Sequence, residues 1–221
     1  MGLRVLALHP WNVSPKKAVQ IQKKLRLRIK ISPLTKQPLL IAGADASFNK
    51  KTAIGIVVVM TYPKLEVLET VRKEQPIRFP YMPTFLAFRE GPVLLKCFQS
   101  LKKEPDLIIF DGQGTAHQRR MGLATHLGIL LSKSTIGCAK KRLTGTLKKL
   151  GEERGSYSYI KDINREIIGA IVRTRENVKP VFVSPGHKID LKDAIDIVLG
   201  CTKKYKIPEP LRYAHHLTKV S

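Results

Sequence analysis

Residues Asp106–Arg120 read DLIIFDGQGTAHQRR, an apolar run followed by an acid, two glycines, a histidine and two arginines. A run apolar at every position, Leu107–Phe110, marks a strand buried on both faces, which is the environment of a parallel strand inside an α/β sheet. The segment Arg120–Leu131, RMGLATHLGILL, then reads as the helix after the loop. An acid at the carboxyl end of such a strand, Asp111, lies where open α/β sheets place their ligand sites. The stretch therefore predicts both the fold class, an α/β sheet of mixed direction flanked by helices, and where its chemistry sits.

Upstream, Leu39–Phe48, Thr52–Met60 and Lys64–Glu74 are β-type runs separated by the short stretches NKK and TYP, which predicts an antiparallel meander. Ser14 before Pro15 is a helix-start signal, and Val19, Ile21 and Leu25 follow at helical spacing among lysines and arginines. Phe79–Leu101 begins as a proline-clamped loop and continues as a helix bearing Phe85, Phe88, Leu95 and Phe98. Gly91-Pro92 predicts a kink or restart there, with Glu90 at the joint. Downstream, Thr135–Leu143 returns to β structure, Gly155–Ile160 and Glu166–Arg175 form a hairpin pair, and Pro180–Ser184 is a short strand. Asp190 caps a helix over Leu191–Gly200, and the tail from Ile207 is expected to begin extended and end polar. No repeat or linker divides the chain, so one domain over residues 1–221 is expected, with residues 1–32 a basic helical region packed on it.

Forty lysines and arginines against seventeen acids leave a formal net charge of +23, while 43% hydrophobic residues argue against a disordered basic tail. A folded basic surface suits a polyanion, nucleic acid before an anionic membrane, because phosphate contacts release condensed counterions. Cys97, Cys138 and Cys201 have neither zinc-ligand nor disulfide-framework spacing and read as reduced, buried thiols. No secretory leader or membrane-length apolar run is present, so a cytoplasmic location with no membrane partner is expected.

Asp45 interrupts an apolar strand between Ala44 and Ala46, and a buried lone carboxylate demands a partner. With Glu90 and Asp111 it makes three acids able to converge at one sheet edge. Their mutual repulsion calls for a cation, and hard oxygen donors suit Mg²⁺, with Mn²⁺ as a substitute. Such a centre serves phosphoryl transfer: the ion polarises a phosphodiester and lowers the pKa of an attacking water. Asp106 reads instead as a strand-start residue, and His9 and His126 as packing residues. His117 in the glycine loop and His215 in the tail have better claims as ligand, acid/base or water-orienting groups, and Arg119 and Arg120 read as phosphate contacts.

Taken in order, GADASF, PYMPTFLAFREGP, DGQGTAHQRRMGLATHLG, TIGCAKKRL and PEPLRYAH resemble the motif series of the endonuclease V family over most of the chain. The resemblance implies a ribonuclease H-like fold and a DNA repair nuclease acting at deoxyinosine, by Mg²⁺-dependent hydrolysis without a covalent enzyme intermediate. It implies a nick at the second phosphodiester 3′ to the lesion. Residue by residue, Asp45, Glu90 and Asp111 match the metal-site carboxylates and His215 the fourth active-site position. Lys140 matches the basic residue near the reacting phosphate and His117 the loop histidine beside the metal. Pro80, Tyr81, Met82 and Pro83 match a wedge that puts an aromatic ring into the gap left by an everted base. Leu86, Gly112, Gly122 and Leu143 match the pocket for that base, and Arg89 also matches the family pattern. Thr84 departs from it, standing where many relatives have glycine, and would either narrow the pocket or point outward. His187 and His216 are left outside the site. The implied partner is deoxyinosine-containing DNA, with inosine-containing RNA as the alternative substrate and no obligate protein partner. A noncatalytic nucleic-acid-binding protein is the rival class, and the intact acidic trio argues against it.

Overall fold

A computed structural model describes residues 2–219; Met1, Val220 and Ser221, included in the expected domain, lie outside the described residues. Within the described residues one sheet of nine strands runs in the order β3-β2-β1-β4-β5-β9-β8-β7-β6. The meander is as expected: β1 (Leu40–Asn49), β2 (Thr52–Thr61) and β3 (Val67–Pro76) pair antiparallel. The strand β4 (Leu107–Phe110) is fully buried and parallel to both β1 and β5 (Ser134–Ala139), as its unbroken apolar run predicts. Beyond β5 the sheet turns antiparallel again through β9 (Val181–His187), β8 (Ile167–Val172), β7 (Tyr157–Lys161) and the two-residue β6 (Thr146–Leu147).

Strand alternation sends neighbouring side chains to opposite faces, and each face meets a different pair of helices. Ile41, Leu107 and Ile109 pack with α4 (Leu191–Gly200) and α5 (Glu209–Leu217). Ala42, Ile108 and Phe110 pack with α2 (Leu86–Gln99) and α3 (Leu123–Leu131). The first helix, α1 (Pro15–Arg26), lies outside α2 and α3, burying Ala18, Ile21 and Leu25 against Phe85, Phe88 and Ile129. Ser14 caps it by accepting from the Lys17 N–H, and Asp190 caps α4 by accepting from Asp193. Each fully buried phenylalanine of this core, such as Phe88, Phe98 and Phe110, contributes about 2 kcal/mol of transfer free energy.

Two expectations are corrected. The helix α2 runs unbroken through Gly91 and Pro92, so Glu90 sits in its second turn and not at a joint. Burial of Val93, Leu94, Cys97 and Phe98 on the sheet holds the helix together across the missing proline N–H. The tail is not extended: α5 starts at Glu209, with Pro210 in its first turn, where proline's absent N–H costs nothing. Proline punctuation there marks a helix start and not a break. No helix among the described residues is long and apolar enough to cross a membrane.

Candidate active site and lesion pocket

Parallel pairing of β1 with β4 sets Ala44 opposite Phe110, so Asp45, midway along β1, stands beside Asp111, which follows the carboxyl end of β4. The helix α5 is brought onto β1 at Gly43, where an added Cβ would lie 2.2 Å from the Pro210 carbonyl carbon. That close approach puts His215 over the strand end, and its Nδ1–H donates to Asp45 Oδ2 at 2.7 Å. Asp45, Asp111 and His215 each offer a ligand atom within 4.8 Å of the others.

The electrostatics of this cluster come from too many acids in too little water. Burial raises the Asp45 carboxyl above its ordinary value and the Asp111 charge adds to this, against the opposing pull of His215 and Lys140. Glu90, buried on α2, is pushed well above the carboxylate range by burial and then by the charges of Asp45 and Asp111. Glu90 feels both charges, but the group whose ligand atoms lie within 4.8 Å of one another is Asp45, Asp111 and His215, without Glu90. Lys140, at the end of β5, donates from Nζ to Asp111 Oδ2 at 2.5 Å; burial works against its charge, but Asp111 holds the ammonium above its usual pKa. Two carboxyls raised above their ordinary values by burial and then by neighbouring acid charge make an oxygen donor set that a divalent cation would fit.

Beside the cluster lies a cavity of about 560 Å³ that joins nearly all the residues matched to the lesion pocket. Tyr81, Met82, Pro83, Leu86, Gly112, Gly122 and Leu143 line it, together with Asp111, His117 and Lys140. Tyr81 is 70% exposed, its ring at the cavity mouth and free of the core. Gly122 is glycine for packing: an added Cβ would stand 2.2 Å from the Gln113 carbonyl oxygen. Gly112 differs, since an added Cβ would make ordinary contacts with Leu123 and Leu86. Pro80 and Arg89 stand outside the cavity wall. Arg89 donates from Nη1 to the Phe79 carbonyl at 3.0 Å and lies 4.2 Å over the Phe48 ring, so it braces the root of the Pro80–Pro83 loop.

Thr84 has φ of +73°, the left-handed region where glycine is at ease, which is the physical reason for the glycine that the resemblance leads one to expect at this position. The threonine is held there by hydrogen bonds. Its carbonyl accepts from Gln22 Nε2 at 2.9 Å and from His117 Nε2 at 2.9 Å, and its hydroxyl accepts from Arg119 Nη2 at 2.5 Å. Arg119 in turn donates from Nε to Gln22 Oε1 at 2.6 Å and stacks over Phe85. The Thr84 side chain lines the cavity with its hydroxyl turned to Arg119.

His117 has both ring nitrogens engaged: Nε2 donates to Thr84, while Nδ1 accepts from the Arg119 N–H at 3.1 Å. Burial, with Arg119 beside it, lowers its pKa to about 4 and keeps it neutral. It stands in the cavity wall, outside the Asp45–Asp111–His215 group. The reading of Arg119 and Arg120 as phosphate contacts is corrected, because both guanidiniums are committed internally. Arg120 bridges Asp162 at 2.5 Å and Glu166 at 2.6 Å. Gln22 was missed by the sequence reading, which saw only a basic amphipathic helix; a polar residue on that helix's apolar side was the available signal. Asp106 behaves as expected, accepting from the Leu39 and Leu40 N–H groups, and His9 and His126 pack together with Trp11. His216 is exposed, and His187 accepts from the Lys30 N–H, away from the cluster.

A family model described as Endonuclease V matches residues 23–216. Endonuclease V of Methanothrix thermoacetophila is 46% identical over 218 residues, which cover 99% of this chain and 96% of that protein. The crystal structure of Endonuclease V from Streptomyces avermitilis matches with a TM-score of 0.90 at 35% identity, covering 100% of this chain and 97% of that one. That of Ciona intestinalis Endonuclease V, in complex with a 24mer DNA containing an inosine followed by a ribo-adenosine, matches with a TM-score of 0.80 at 30% identity over 93% of this chain and 96% of the other. The mixed sheet with its flanking helices is the ribonuclease H-like fold of these structures.

Proposed function

The chain belongs to the endonuclease V family and is a nuclease, and on that premise we propose that it nicks DNA at the second phosphodiester 3′ to deoxyinosine by Mg²⁺-dependent hydrolysis. The products would carry 3′-hydroxyl and 5′-phosphate ends. The observation that carries this reading is the junction of two parts: the Asp45–Asp111–His215 cluster and the cavity share Asp111, and Lys140, bonded to Asp111, lines the same cavity.

In this reading the everted hypoxanthine enters the cavity, Tyr81 takes its place in the stack, and the backbone at Leu86, Gly112 and Gly122 meets the base edge with Leu143 closing over it. Eversion costs a few kcal/mol, less for a weakly paired lesion, which supplies part of the selectivity. Asp45, Asp111 and Glu90 would hold the cation, which when bound supplies Lewis-acid polarisation of the phosphodiester and a lower pKa for the attacking water. Lys140 offsets charge that develops on the phosphate. His215, fixed by Asp45, orients groups at the strand end. His117, neutral and doubly bonded, acts through Thr84 to set the wedge loop. One domain, a cytoplasmic location and Mg²⁺ with Mn²⁺ as substitute belong to the same proposal.

The test is cleavage of an end-labelled duplex holding one deoxyinosine, with and without Mg²⁺, beside an undamaged control. A single Mg²⁺-dependent nick on the 3′ side of the lesion is expected; cutting of the control at the same rate would overturn the reading. Inosine in RNA is the second reading, favoured by the ribo-adenosine that follows the inosine in the Ciona complex. Matched DNA and RNA strands in the same assay separate the two.

A further inference from the structure

The segment that leaves the active site at Lys140 does not end at the lesion cavity. Lys141, Arg142 and Leu143 line the cavity, and the chain then pairs as β6 with β7, Thr146 opposite Lys161 and Leu147 opposite Ile160. On β7, Tyr157 and Tyr159 are two residues apart and so share one face of the sheet. They are 49% and 44% exposed, and their ring centroids lie 5.5 Å apart at an interplanar angle of 63°. Their cross-strand partners Val172 and Ala170 are buried under the α4 side, so the tyrosines begin where that cover stops. With Leu147, Lys148 and Lys161 they line a groove of about 370 Å³ that has no acidic residue in its wall. The nearest acids on the hairpin, Asp162 and Glu166, are already paired with Arg120.

We propose that Tyr157 and Tyr159, flanked by Lys148 and Lys161, form a stacking platform for unpaired bases of a single nucleic-acid strand, a second contact site beyond the lesion pocket. The proposal rests on the reading that this chain acts on nucleic acid. Two arguments select the occupant. Exposed rings beside ammonium groups match a strand that offers base faces and phosphates together, whereas a duplex hides its base faces. Continuity supplies the second: Ala139 is level with Phe182, Phe182 with Ile171, and Ile171 with Ser158, so the platform lies in the same row of the sheet as the base of Lys140. Three strand spacings, ~14 Å, separate them, with the exposed cations Lys141 and Arg142 after β5 at one end and Lys148 and Lys149 after β6 at the other.

The experiment is fluorescence anisotropy of a short labelled, undamaged oligothymidylate with the full chain, without divalent cation. Tyr157→Ser with Tyr159→Ser should weaken binding about tenfold for each ring removed. The pair Tyr157→Phe and Tyr159→Phe should bind like the parent, because the ring and not the hydroxyl does the stacking. Lys148→Ser with Lys161→Ser should flatten the salt dependence of binding, and Ile163→Ser, on the same hairpin but outside the groove, should change nothing. Unchanged binding by the double serine variant would overturn the proposal. So would equal losses for oligothymidylate and undamaged duplex, or a phenylalanine pair as weak as the serine pair. A parent that binds oligothymidylate through these tyrosines yet fails to nick inosine substrates would overturn the site reading and not the platform.

Discussion

Thr84 carries a conflict that its neighbours resolve. A left-handed backbone costs a non-glycine residue about 1–2 kcal/mol, and the hydroxyl bond to Arg119 returns about 0.5–1.5 kcal/mol. Thr84→Gly should therefore leave the melting temperature nearly unchanged, whereas Thr84→Val, which keeps the strain and loses the hydroxyl, should lower stability by about 1–2 kcal/mol in a denaturant melt. His187 gives a second test at this scale. Burial, followed by the charges of Lys188 and Lys30, lowers its pKa to about 4 from an unfolded value near 6.5. A lowered folded pKa means that the unfolded chain binds the proton first, so stability present above pH 6.5 is lost as pH falls toward 4. The advantage of the parent over His187→Gln in melting temperature should shrink across that window. The difference between the two proteins is the readout because Asp45 and Glu90, shifted upward, act in the opposite sense in both.

Among elements, α5 decides whether the acidic cluster is complete. Its first turn presses on Gly43, and its second turn supplies His215. In Gly43→Ala the new methyl meets backbone, which cannot rotate away as a side chain would, so the helix must lift from β1. Nicking should fall by at least about 100-fold, on the scale of losing one preorganised active-site group, with a stability loss of about 1–3 kcal/mol typical of overpacking. A variant that nicks at parental rate would show that His215 needs no such close approach. This helix was hidden in PEPLRYAHH because prolines read as breaks, although His215 itself was marked by its motif. The unbroken α2 was hidden for the converse reason: Pro92 signals a kink, and only burial of the helix face on the sheet shows that packing overrides it.

For the whole molecule, cutting and holding are spread differently. In the proposed reaction catalysis is local to a few carboxylates, whereas a charge of +23 would distribute backbone contacts over the surface. Asp111→Ala should thus bind deoxyinosine duplex at least as tightly as the parent, losing a negative charge, while nicking falls to background; retained Mg²⁺-dependent nicking would refute the site assignment. From the sequence alone came the meander, the buried parallel strand, the caps at Ser14 and Asp190, and the expectation that Asp45 and Asp111 meet at neighbouring strands. These signals are local: hydrophobic period, turn chemistry and the cost of a buried acid all act between near neighbours along the chain. The tertiary structure alone decided which partners the polar side chains take. It turned Arg119 and Arg120 inward, joined Gln22 to Thr84, set His215 on Asp45 across 170 residues, and left Tyr157 and Tyr159 uncovered. Hydrogen bonds and ion pairs form between groups that folding brings together, and sequence spacing does not carry that information.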